Sequence, residues 1–112
     1  VVRFAIWQCP IEQTLGGFKG YHPELDYSCV WESHVDEVIH DYTADAIEGL
    51  EVIFASFQWV DEERMPPSDY KGRSLSAGDL VCLDERWYFC ALEGWKHVTP
   101  PLAALGSQKG TN

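Results

Sequence analysis

The chain has 112 residues, of which 46% are hydrophobic, with five Trp, five Tyr and five Phe. That composition supports one globular domain with its own core and excludes an intrinsically disordered chain. Eighteen Asp and Glu against eight Lys and Arg leave a formal net charge of −10, a field that repels nucleic acid and anionic membrane and attracts basic partners.

Residues 2–9 alternate, with Val2, Phe4 and Ile6 on one face and Arg3, Ala5 and Trp7 on the other, which predicts a half-buried strand ended by Pro10. A glycine-rich loop over 14–20 follows, and the short apolar run Tyr27–Trp31 reads as a second strand. Across 44–58, Ile47, Leu50, Ile53, Phe54 and Phe57 recur at helical spacing behind a Thr43 N-cap, with Asp45 and Glu48 near the positive end of the helix dipole. Gly49 in the middle of that helix costs about 1 kcal/mol relative to Ala, which points to close packing against a neighbour. Pro66 and Pro67 break the segment 61–69 into a loop. Strands at 79–83, 86–92 and 95–98, separated by Asp84-Glu85 and Glu93-Gly94 turns, read as a C-terminal β-meander. The order gives an α+β fold, one amphipathic helix packed on a small, mostly antiparallel sheet. A single domain spans 1–104, and residues 105–112 read as a flexible tail. No apolar run approaches the ~20 residues of a membrane span, and the opening residues alternate instead of forming a signal-peptide core, so a cytoplasmic protein is the expectation.

The charge is regional. Between Lys19 and Arg64 the only basic side chains are histidines, while the same window holds Glu24, Asp26, Glu32, Asp36, Glu37, Asp41, Asp45, Glu48, Glu51 and the run Asp61-Glu-Glu63. Asp36, Glu37, Asp41, Asp45 and Glu48 are the candidate partner-binding residues, facing a protein with a basic, nucleic-acid-binding surface; the competing reading is a solvated face that keeps the protein soluble. In the sharper form of the first reading, the carboxylates imitate the phosphate spacing of nucleic acid.

No catalytic or metal-binding signature stands out, and no cofactor is implied. Cys9, Cys29, Cys82 and Cys90 lack C-x-x-C spacing and read as small buried hydrophobes. If Asp84-Glu85 closes a two-residue hairpin, Cys82 faces Trp87 and Cys90 lies opposite Asp79 on the other face, which separates the two thiols. His34, Asp36, His40 and Asp41 offer metal-ligand chemistry, but the two histidines are six apart and share no helix face. Cys90 would fall opposite His97 if Glu93-Gly94 closed a two-residue hairpin, the geometry a Cys-His nucleophile needs, although a thiol between Phe89 and Ala91 is normally packed. Paired acids such as Asp36-Glu37 and Asp61-Glu-Glu63 read as solvated charge and not as a general acid and base. The alternative to an interaction module is a small-ligand binder or minor enzyme with a pocket between the helix and the meander, near Trp87, Trp95 and Cys90.

The most specific local pattern is Lys71-Gly-Arg-Ser-Leu-Ser-Ala-Gly-Asp-Leu-Val-Cys-Leu83, a polar, glycine-bearing turn feeding an apolar strand. Ser74 and Ser76 suit bonds to nearby backbone, Gly78 suits φ > 0, Asp79 suits a cap on the turn, and Leu75 would plug the core. The competing reading is an anion-binding nest formed by Lys71, Gly72, Arg73 and Ser74. Together with Leu50–Phe57, Trp87-Tyr-Phe-Cys90 and Gly94-Trp-Lys-His-Val98, this pattern resembles the YodL-like domain over roughly residues 50–98. The family motif falls on Ser74, Leu75, Ser76, Gly78, Asp79 and Gly94. The resemblance implies a bacterial, phage or mobile-element protein with no enzymatic activity attached; taken with the acidic field, a regulator or inhibitor of a partner protein is the expectation. Where the family often has an acid on the aromatic strand, this chain has Tyr88-Phe-Cys-Ala91, so no role for that acid carries over.

Overall fold

The computed structural model describes residues 2–35, 46–58, 70 and 72–109. Five strands, β1 (Arg3–Gln8), β2 (Ser28–His34), β3 (Leu80–Leu83), β4 (Arg86–Ala91) and β5 (Gly94–Val98), form one sheet in the order β2-β1-β3-β4-β5. Every neighbouring pair is antiparallel. Among the described residues the helices are α1 (Ile11–Thr14), α2 (Ala46–Ser56) and α3 (Leu102–Lys109). This is the α+β fold expected from the order of apolar patterns.

The alternation of β1 decides how the layers stack. Phe4 and Ile6 face α2, pair with Leu83 and Val81 on β3, and are at most 1% exposed. Leu50 and Ile53 of α2, and Phe57 just past its end, descend onto them at 0% exposure, each burial worth roughly 1.5–3 kcal/mol. Phe57 also packs edge-on against Phe4 and Tyr70, with ring centroids 6.0 and 4.9 Å apart. The helix ends where the Phe57 carbonyl accepts the Leu75 amide at 2.9 Å, which plugs fully buried Leu75 into the same core. α2 lies on the connection between β2 and β3, which flank β1 and run parallel to each other.

A second, smaller core sits on the opposite face, where Leu80 and Phe89 meet Cys9 and Tyr27. Tyr21 clamps it by donating its hydroxyl to the Thr99 carbonyl at 2.6 Å, and the Leu102 amide of α3 bonds the Pro23 carbonyl at 2.8 Å.

Several local details differ from the sequence reading. β2 begins at Ser28 and runs on to His34, with a bulge where Ile6 and Trp7 pair with Trp31 and Cys29 across an extra Val30. The backbone from 102 to 109 is helical, where the sequence reads as a tail from 105. The last hairpin turns at Leu92-Glu93, not Glu93-Gly94, because Gly94, at φ +115, is the left-handed residue that opens β5 and pairs with Ala91. Among the described residues, no helix is long and apolar enough to cross a membrane.

Candidate functional site

The Gly72–Leu83 segment is anchored by one buried carboxylate. Asp79 has no exposed surface; its Oδ1 accepts Arg73 Nη2 at 2.8 Å, and its Oδ2 accepts the Ser76 amide at 2.9 Å and Gln8 Nε2 at 3.0 Å. Gln8 completes the ring: its Oε1 accepts the Arg73 amide at 3.1 Å while its Nε2 reaches the Arg73 carbonyl at 3.0 Å. The Arg73 carbonyl also accepts the Tyr70 hydroxyl at 2.7 Å, and the guanidinium donates to the Cys9 carbonyl at 3.0 Å. Ser74 donates its hydroxyl to the Gln58 carbonyl at 2.8 Å. Gly78, at φ +101, lies so close to Thr14 that a Cβ there would collide with the threonine hydroxyl.

Ser74, Leu75, Ser76, Gly78 and Asp79 therefore hold the loop to β1, to the end of α2 and to β4, and Gly94 is the positive-φ residue that opens β5 after the turn. The anion nest fails at Arg73, whose amide goes to Gln8 and whose guanidinium goes to Asp79 and Cys9. Lys71 lies outside the described residues. Burial pushes the Asp79 carboxyl up to about 6, against the opposing pull of the Ser76 amide, Arg73 and Gln8. Gln8 is the member that the motif does not contain. Its sequence signal is a polar residue at the inward-facing end of the Phe4, Ile6 alternation.

The Cys-His reading is overturned by the shifted turn. Cys90 pairs with Trp95, and His97 pairs with Tyr88, whose ring it meets at 5.4 Å. The Cys90 thiol is 6% exposed and burial pushes it up to about 12, the opposite of an activated nucleophile. All four cysteines are free, and Cys82 faces Trp87 while Cys90 lies opposite Asp79, as a two-residue Asp84-Glu85 hairpin requires. Of the possible metal set only His34 is described; Asp36, His40 and Asp41 lie outside the described residues. Among those described, no three His, Cys, Asp or Glu side chains converge on a metal position.

Of the candidate partner-binding acids, Asp36, Glu37, Asp41 and Asp45 lie outside the described residues, as do Asp61, Glu62, Glu63 and the Thr43 cap. Glu48 is exposed on α2, with Glu51 one turn on and Ile47, 53% exposed, beside them. Glu32 stands on edge strand β2 and pairs with Arg3. Trp87 and Trp95 point to opposite faces of the sheet, so they do not share a pocket. Trp95 packs edge-on against Phe54 of α2 at 6.0 Å, whereas Trp87 meets Trp7 on the far side. There, Trp7 and Trp87 flank an open cleft of about 250 Å³ over Ala5 and Cys82. No family model, no curated protein and no solved structure matches the chain.

Proposed function

We propose that the chain is a small, non-enzymatic protein-interaction module that presents an acidic surface to a basic partner, of the kind that binds nucleic acid. The observation that carries this reading is the absence of Lys and Arg between Lys19 and Arg64 in a window rich in Asp and Glu. Its described portion supports the reading: Glu48 and Glu51 lie on the solvent side of α2, and exposed Ile47 beside them supplies an apolar anchor within an acidic rim. Charge of one sign raises association rates and rejects acidic competitors more than it raises affinity. The resemblance to YodL-like domains belongs to the same proposal, and with it a cytoplasmic regulator or inhibitor of bacterial or mobile-element origin.

The test is affinity capture from a bacterial lysate at low and at high salt, repeated with Glu48→Lys/Glu51→Lys and with Asp36→Lys/Glu37→Lys/Asp41→Lys. A near-stoichiometric basic partner released at high salt, and weakened about tenfold or more by either charge reversal, is the expected result. A partner retained at high salt and indifferent to both sets of reversals removes the electrostatic reading.

A further inference from the structure

On the face of the sheet turned away from α2, one row of directly paired residues crosses all five strands: Glu32, Ala5, Cys82, Trp87 and Val98. The adjacent row places Trp7 beside Leu80. Ala5 and Cys82 are the small side chains in the middle of this pattern, and both retain solvent access. Their size leaves the depression of about 250 Å³, below the roughly 300–1,000 Å³ typical of drug-sized ligands. Trp7 and Trp87 form two of its walls, meeting edge to face with centroids 5.4 Å apart and ring planes at 65°. Arg3, Phe4, Glu32 and Glu85 complete the lining.

Charge selects the occupant. Arg3 is paired with Glu32, which leaves Glu85 as the lining charge with no ion pair among the described residues, in a chain whose net charge is −10. Burial pushes the Cys82 thiol up to about 11, so the floor stays uncharged at neutral pH. A carboxylate or phosphate is repelled from such a cleft, and a bare metal ion finds no converging oxygens to replace its hydration shell. An alkylated ammonium suits the apolar part of this lining: its methyl groups would lie against the indoles and Ala5, and its diffuse charge would be attracted by Glu85 and by the indole whose face the edge-to-face pair leaves open. The geometry points to a binding site for a small quaternary ammonium compound, of about choline size, in the cleft beside the packed Trp7–Trp87 pair and over Ala5 and Cys82.

The experiment follows the indole N–H signals of the intact chain by nuclear magnetic resonance during titration with choline chloride. Sodium chloride and 3,3-dimethyl-1-butanol, the uncharged carbon isostere of choline, serve as references. Saturable shifts at Trp7 and Trp87 but not at Trp95, with a response to the isostere about tenfold weaker, are expected from the cation–π contribution. Glu85→Gln, a change at an exposed turn residue, weakens choline by about threefold or more, and Trp87→Leu abolishes the shifts. The absence of shifts at Trp7 and Trp87, an equal response to choline and its isostere, or an unchanged affinity in Glu85→Gln overturns the assignment. A trimethyl-lysine peptide that binds more tightly than choline overturns the small-molecule occupant in favour of a modified protein tail.

Discussion

Asp79 is surrounded only by donors, which makes it an anchor and a source of pH dependence at once. Its ordinary carboxyl value of 3.8 rises to about 6 in the folded chain because burial outweighs the stabilising hydrogen bonds. The folded state therefore holds this proton more tightly than the unfolded state. The group's contribution to stability is complete below about pH 4 and is lost as pH rises through about 6, a change of about 3 kcal/mol. Asp79→Asn removes the titration. Urea denaturation from pH 4 to pH 7 should show the stability difference between wild type and variant moving toward the variant by about that amount, and a constant difference would refute the linkage. Gly78 is constrained by two independent effects, a left-handed φ of +101 and the nearness of Thr14. Gly78→Ala should destabilise the fold by about 2 kcal/mol or more, measured in the same way.

At the scale of elements, the β3–β4 hairpin turns through Asp84 and Glu85 at φ +51 and +68. Both central residues lie in the left-handed region, which a two-residue type I′ turn demands and which Asn-Gly adopts at lower cost. Replacing Asp84-Glu85 by Asn-Gly should raise stability by about 1 kcal/mol in urea denaturation, with an unchanged m-value. The sheet was legible in the sequence because Phe4 and Ile6 alternate cleanly and because 80–91 is apolar on both sides of one obvious turn. The next turn was displaced by one residue because Gly94 has the look of a turn centre, while its positive φ in fact serves the residue that opens β5. That single position decided whether Cys90 faced His97 or Trp95. Helix α3 was hidden because Leu102 and Leu105 carry too weak an apolar repeat, next to a glycine and a serine, to signal a helix. The Asp79 anchor was half legible: its capping role follows from residue type, but Gln8 and Asp79 are brought together only when β1 pairs with β3. The aromatic cleft required the same pairing. Trp87 opposite Cys82 was readable from the hairpin, whereas the arrival of Trp7 and Ala5 from β1 was not.

Across the whole molecule, ten net negative charges are confined to a chain with a radius of gyration of 13.5 Å. Their self-repulsion opposes compaction, and raising the salt from 0.01 M to 1 M shortens its reach from about 30 Å to about 3 Å. The thermal midpoint should therefore rise by several °C between those conditions, at the ~4–8 °C per kcal/mol characteristic of a domain this small. A flat or falling midpoint would show that the acids are already compensated locally, as Glu32 is by Arg3.

The placement of β1 between β2 and β3 also bears on how the chain assembles. β3, β4 and β5 join through short turns and can pair as soon as they emerge, but Phe4 meets Leu83 only after nearly the whole domain has been made. Such distant pairing slows folding. During synthesis, β1 can pair with β2 yet must leave its other side open, an unpaired apolar edge that invites a neighbouring nascent chain until β3 arrives to close it.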